Sequence, residues 1–293
     1  MGNQQLRELS LFTGYGGFSL GLRLAGLEVQ TVGYIEIEPY CQEIIKARIK
    51  DGLLDDAPIF PDIRAFDGTQ CRGVVDLVSG GFPCQPHSVA GAKRGATDQR
   101  NLWPDTLRVI REVAPRFVLL ENVPGLLSGS TDERTPAYGG VVVGELASLG
   151  YSVHWRTLGA DDVGAPHRRK RWWCLGVLAD ASSGRYGEPP EEVRTGGDTT
   201  EHGIGELADD RRNRGYPTWP PGPSDTDGWE RVLRERPDLA PALHKEVESQ
   251  FRGVDHGRSH RVDELRVLGN GIVPAVVAEF LNRVHRLTET SAA

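Results

Sequence analysis

From Leu6 to Leu178 the chain alternates short apolar runs with stretches of helical spacing, and this alternation restricts the fold more than any other feature. Leu6 to Phe12 is an apolar run that ends in a glycine turn and leads into a helical stretch from about Phe18 to Ala25. Val29 to Glu36 reads as a second strand, Glu38 to Lys50 as a second helix and Val74 to Ser79 as a third strand. Leu102 to Val113 has helical spacing, and Arg116 to Glu121 is a buried-type strand before Pro124-Gly125. A helix near Gly140 to Leu149 precedes strands at Tyr151 to Leu158 and Arg171 to Leu178. Strands separated by helices pair only through crossovers, which implies an α/β sheet that is mainly parallel.

The pattern changes after Ala179. Residues 180–262 are rich in Gly, Pro and charge, and Pro217, Pro220, Pro221 and Pro223 exclude regular helix or central strand from their block. Trp219, Trp229 and Phe251 still call for some packing there. A last helix begins after Pro274, with Val277, Leu281 and Val284 on one face and therefore a surface to pack on. The expected organisation is a main domain over 1–179, a small irregular region over 180–262 and a segment over 263–293 that returns to the main domain. No internal repeat is present.

Composition excludes several classes. A chain of 293 residues with 38% hydrophobic and 26% charged residues buries an ordinary globular core. No apolar run reaches bilayer-spanning length. The N-terminus lacks a secretory pattern, and Leu6 stands where a myristoylation signal needs Ser or Thr, so a cytoplasmic protein without a membrane partner is expected. Cys41, Cys71, Cys84 and Cys174 are too few for a disulfide scaffold and form no C-x-x-C pair, so no metal site is expected. The net charge of −7 argues against nucleic acid only as an average, because phosphate binding needs one basic face. Basic residues cluster at His167 to Arg171 and between Arg252 and Arg266.

Five constellations carry chemistry. Phe12-Thr13-Gly14-Tyr15-Gly16-Gly17 forms a strand-to-helix turn where a ligand can approach backbone; Ser19 takes the third glycine position of G-x-G-x-x-G. Glu36 closes the second strand where an acid meets ribose hydroxyls. A dinucleotide, a nucleoside cofactor or a plain tight turn all suit these residues. Cys84 follows a strand in a loop stiffened by Pro83 and Pro86, the setting of a nucleophile, whereas the other three cysteines read as buried small hydrophobes. Glu121-Asn122 ends a hydrophobic strand, where a carboxyl can share a proton with a ring nitrogen; a turn or cap is the plain alternative for Asn122. Arg169 and Arg171 alternate on a strand and so share one face, and their guanidinium forks suit phosphates and polar base edges. Gly269-Asn270-Gly271 precedes the last helix and offers free N–H groups.

In this order the blocks resemble the cytosine-C5 DNA methyltransferase family, with its F-x-G-x-G-G, P-C-Q, E-N-V, R-x-R and late G-N segments. The match spans about 6–179 and 263–288, and P-C-Q followed by E-N-V is specific in combination. The resemblance implies a Rossmann-like S-adenosylmethionine-dependent methyltransferase sheet, mainly parallel with helices on both faces, plus a small irregular target-recognition lobe. It assigns Phe12, Gly14, Gly16 and Gly17 to the cofactor turn, Glu36 to the ribose, Asp62 and Ile63 to the adenine and Asn270 to the cofactor side. Ile37 stands where an aromatic often meets the adenine, which points to lower cofactor affinity. Cys84 is the nucleophile, Glu121 the acid on the cytosine ring, and Arg169 and Arg171 the arginines of the catalytic site. Pro83, Gln85 and Asn122 lie beside the substrate. His167 stands where glutamine is common.

The implied reaction is methyl transfer from S-adenosyl-L-methionine to C5 of a flipped-out cytosine in double-stranded DNA, through a covalent Cys84–C6 bond. No obligatory protein partner is evident, and a cognate restriction endonuclease is left open. Methylation of tRNA on the same fold ranks second, because the Cys-Phe-Thr tripeptide of that branch is absent. An idle DNA-binding relative has no need of both Pro83-Cys84-Gln85 and Glu121-Asn122, and a nicotinamide oxidoreductase is disfavoured by Ser19. Base reading is expected in 180–262, with Arg252, Arg258, His260 and Arg261 as contacts and Trp219 and Trp229 as a small core; a solvated surface is the plain alternative for the arginines.

Overall fold

The computed structural model describes residues 5–83, 101–127, 137–165, 167–178 and 271–290, together with residue 234. Cys84, Gln85, Asn270, Arg252, Arg258, His260, Arg261, Trp219, Trp229 and the whole segment 180–262 apart from residue 234 lie outside the described residues.

Among the described residues seven strands form one sheet: β1 (Leu6–Leu11), β2 (Val29–Ile35), β3 (Ile59–Phe60), β4 (Leu77–Gly81), β5 (Phe117–Asn122), β6 (Tyr151–Leu158) and β7 (Arg171–Leu178). The helices are α1 (Gly17–Leu24), α2 (Pro39–Lys50), α3 (Trp103–Val113), α4 (Tyr138–Ser148) and α5 (Pro274–Thr290). Strand order is β3-β2-β1-β4-β5-β7-β6. The first five strands pair in parallel, and β7 runs antiparallel to both β5 and β6. Strand order reverses between β1 and β4, so the carboxyl ends of these two strands flank the crevice where open α/β sheets bind ligands.

Alternation along β5 shows why helices cover both faces. Val118 and Leu120 belong to the core shared with α3 and α4, through Trp103, Leu107, Ile110, Val142 and Leu146. Leu119 belongs to the opposite core, with Phe18 and Leu22 of α1 and Val277, Phe280 and Val284 of α5. Trp172 and Trp173 repeat the split on β7. Burying each such side chain contributes roughly 1.5–3 kcal/mol.

The expected strand at Val74 to Ser79 is shifted. The N–H groups of Val74 and Val75 both donate to the Cys71 carbonyl, 3.0 Å each, and Gly73 has φ +73°, so local turn bonds occupy these residues. The strand begins at Leu77 and runs into Gly80-Gly81, which pair with Leu11 and Glu121. The two-residue β3, between Pro58 and Pro61, and the 3-10 turns at Gly68–Cys71, Pro124–Leu127 and Ala160–Val163 carry too few residues to show periodicity. Among the described residues no helix is long and apolar enough to cross a membrane.

Candidate active site

The glycine turn begins one residue after β1. Phe12 has φ +52°, Gly14 φ +59° and Gly16 φ +89°, so the chain reverses through the left-handed region that glycine enters without strain. A Cβ on Gly14 would meet nothing within 4 Å, which leaves its face open. Glu36, the residue after β2, binds the turn from the neighbouring strand end: its carboxylate accepts from the Gly14 N–H at 2.8 Å and from the Glu38 N–H at 2.9 Å. Ile37 follows it with 52% of its surface exposed, high for a large aliphatic side chain.

Asp62 and Ile63 lie after β3 at the same end of the sheet. Asp62 accepts from the Arg64 N–H at 2.9 Å, and Ile63 is buried. Arg108 on α3 fastens this turn, donating to the carbonyls of Ile63 at 2.6 Å and Phe66 at 2.9 Å. Glu112, one helical turn on, accepts from Arg108 at 2.8 Å and from the Gly68 N–H at 2.9 Å. The sequence reading missed this pair, although its i,i+4 spacing of opposite charges was visible.

Glu121 and Arg171 meet because β7 is antiparallel to β5, which brings the start of β7 to the carboxyl end of β5. Arg171 Nε lies 3.0 Å from Glu121 Oε1. Burial pushes the Glu121 carboxyl up to about 7, with Arg171 and then Arg169 pulling the other way. Such a carboxyl changes protonation near neutral pH, which suits it to hold or give a proton.

Arg169 does reach the same site, but not by alternation along a strand. It precedes β7 in an irregular stretch and has φ +34°; next to it the Arg168 carbonyl accepts from the Ala160 N–H at 2.7 Å, which ties this stretch to the Ala160–Val163 turn. Its guanidinium donates to the Gly271 carbonyl at 2.6 Å. Burial first and Arg171 second lower its pKa, while Glu121 and Tyr15 oppose the shift.

Asn122 faces the loop that leads to Cys84. Its amide nitrogen donates to the Phe82 carbonyl at 2.8 Å and its oxygen accepts from the Val123 N–H at 2.8 Å, which holds the Phe82–Pro83 backbone. Cys41 and Cys174 are buried and Cys71 is half-buried, and burial raises the thiol pKa of Cys71 and Cys174.

Ile272 links the cofactor-type turn to the acid. A Cβ on Gly17 would stand 2.8 Å from Ile272 Cβ and 2.8 Å from its carbonyl oxygen, so only glycine fits. A Cβ on Gly81 would stand 3.5 Å from Ile272 Cδ1 and 3.0 Å from Glu121 Oε2. The Tyr15 hydroxyl donates to the Ile272 carbonyl. Tyr15 was not singled out from sequence, where a tyrosine among glycines gives no sign of a partner 257 residues away.

An open glycine turn, an acid at the next strand end and a buried acid–arginine pair flank the strand-order reversal of a Rossmann-like α/β domain, the class that the fold defines. The chain belongs to the C-5 cytosine-specific DNA methylase family, whose model matches residues 6–227. It is 36% identical over 167 residues to the type II methyltransferase M.NgoMIV of Neisseria gonorrhoeae, covering 57% of this chain and 50% of that protein. It is 32% identical over 188 residues to the type II methyltransferase M.CviJI of Paramecium bursaria Chlorella virus IL3A, covering 64% and 45%. The crystal structure of the S. pombe Dnmt2 methyltransferase aligns with a TM-score of 0.47 and 25% identity, covering 59% of this chain and 51% of that one. The chain thus spans about half the length of these relatives.

Proposed function

We propose that this chain transfers a methyl group from S-adenosylmethionine to C5 of a cytosine flipped out of double-stranded DNA, through a covalent bond between Cys84 Sγ and C6. Glu121 carries the reading. A carboxyl buried to a pKa near 7 and paired with an arginine stands where β5 ends, next to β4, the strand whose loop bears Cys84.

The residues at the glycine turn fit the cofactor. The Gly14 face is open, the Glu36 carboxylate beside it has lone pairs beyond the two it uses, and exposed Ile37 offers an apolar surface to an adenine. Glu36 would hold the ribose, and Ile37, Asp62 and Ile63 the adenine. When bound, S-adenosylmethionine supplies an electrophilic methyl group on its sulfonium. The Cys84 thiolate adds to C6 while protonated Glu121 donates to N3, so the C5–C6 electron pair becomes available at C5. Once C5 carries the methyl group it gives its proton to water, the electron pair left behind re-forms the C5–C6 double bond and expels the Cys84 thiolate, and N3 returns its proton to Glu121. Arg171 and Arg169 hold the flipped base and the anionic sulfur in place. Such chemistry is closed to a stacked base, hence the flip. Asn122 serves by fixing the Phe82–Pro83 backbone from which the nucleophile's loop departs.

The segment 180–262 would read the DNA site as a small lobe, with Arg252, Arg258 and Arg261 on phosphates or bases. Relatives named type II and relatives named orphan methyltransferases both match, so a paired endonuclease is not part of this proposal. The test is incubation with methyl-labelled S-adenosylmethionine and either plasmid DNA or tRNA, followed by bisulfite mapping. Label at specific cytosines of the plasmid is expected. Label in tRNA alone would overturn the choice of substrate, and cofactor binding with no label in either would mark the chain as catalytically idle.

A further inference from the structure

Two adjacent carbonyls near the start of α5 are held from different parts of the molecule. The Ile272 carbonyl accepts from the Tyr15 hydroxyl of the glycine turn, and the Gly271 carbonyl accepts from Arg169 Nη2 at 2.6 Å. The Ile272 side chain fills the gap between Gly17 and Gly81, on the Glu121 side of the crevice. Arg169 needs such an anchor. It has a left-handed φ of +34° without being glycine, and its guanidinium is half-buried near the like charge of Arg171. Backbone strain and a desolvated charge persist only where surrounding contacts over-determine them.

We propose that Tyr15 is a positioning residue: by fixing the Gly271–Ile272 backbone, its hydroxyl holds the Arg169 guanidinium beside Glu121. The glycine turn thereby sets the electrostatics of the acid as well as shaping a ligand site. Burial also raises the Tyr15 phenol pKa, so it stays protonated and keeps its donor across the working range. The inference rests on the methyl-transfer reading for what Glu121 does, and on the geometry alone for how Glu121 is tuned.

The experiment therefore reads Glu121 directly. The full chain is labelled with 13C at glutamate side-chain carboxyls, and the Glu121 resonance is identified by its loss in Glu121→Gln. Its titration midpoint is followed in wild type, Tyr15→Phe, Arg169→Met and Tyr151→Phe. Among the described residues the charged or titratable groups acting on Glu121 are Arg171 and Arg169. Loosening Arg169 weakens its pull toward the ionised form, so Tyr15→Phe should move the midpoint upward by about 0.3–1 pH unit, in the direction of Arg169→Met. Single-turnover methylation should fall about three- to tenfold, as for one lost neutral hydrogen bond. Tyr151→Phe removes a similar bond, to the Pro115 carbonyl at 2.8 Å before the start of β5, and should leave the midpoint in place. An unmoved midpoint in Tyr15→Phe, or an equal movement in Tyr151→Phe, would overturn the proposal. Absence of methylation by wild type would sink the methyl-transfer reading instead and leave the titration result standing.

Discussion

Replacing Glu121 by glutamine keeps the shape of the side chain and removes its charge, which turns the burial of this acid into a measurable stability. The folded chain raises the Glu121 pKa from 4.5 to about 7, so the native state prefers the protonated form. The associated stability is complete below pH 4.5 and is lost as pH rises through 7. The span between the two values corresponds to about 3 kcal/mol. Glutamine does not titrate, so between pH 4.5 and 8 wild type should lose about 3 kcal/mol relative to Glu121→Gln. Glu8 is also buried, with its pKa raised chiefly by desolvation, but it is common to both proteins and cancels in the difference. Urea denaturation of both proteins at half-unit steps of pH gives the two curves. Curves that stay parallel across this range would refute the reasoning, since the carboxyl would then be no harder to ionise folded than unfolded. The same variant should lose about 10²- to 10⁴-fold in turnover if the acid works as described.

Cys84→Ser should abolish methylation without changing cofactor affinity, and wild type should form a stable adduct on DNA containing 5-fluorocytosine, seen as a gel shift under denaturing conditions. Glu36→Ala should weaken S-adenosylmethionine binding by about ten- to a hundredfold, as for one lost charged hydrogen bond; calorimetry showing unaltered affinity would remove Glu36 from the site. Gly17→Ala forces a Cβ to 2.8 Å from a backbone carbonyl that cannot swing away, at a cost of about 1–3 kcal/mol, readable as a lowered Tm. Alanine substitutions across Arg252 to Arg261, assayed on a random-site library, should either relax preference at single bases, at about 1–3 kcal/mol each, or lower the salt slope; no change in either would take this stretch out of the DNA interface.

The strands and helices that position the site were largely legible because each carries a full period of apolar residues, as in β5, β6 and α3. The shifted start of β4 was not, since Val74 and Val75 look like strand residues and only the turn bonds to Cys71 take them out of the sheet. Glu36, Glu121 and Arg171 could be placed from the sequence because each adjoins a strand end. Arg169 comes near Glu121 by a route that the sequence does not suggest: alternation predicts a strand neighbour of Arg171, whereas an irregular stretch with positive φ before β7 delivers it. Tyr15, Gly271 and Ile272 form a contact between distant parts of the chain, which no local pattern encodes. Buried Glu8 was passed over for a related reason. Its stability depends on hydroxyls from three separate elements, Ser19 at 2.6 Å, Thr31 at 2.8 Å and Ser79 at 2.5 Å, and only the fold brings these together.

The packing of α5 against α1 also sets an order of assembly. All seven strands precede Ala179, yet one face of their sheet is covered by Val277, Phe280 and Val284 from a helix that begins at Pro274. On a ribosome adding about 5–20 residues per second, that face waits on the order of 5–20 s for its cover. During this interval the apolar side chains of Leu77, Leu119 and Trp173 have, among the described residues, α1 and Val163 in their cluster but not yet α5. A nascent chain paused before Pro274 would present a sticky sheet to whatever lies near the exit tunnel, and a chaperone that binds there would be released by the arrival of α5.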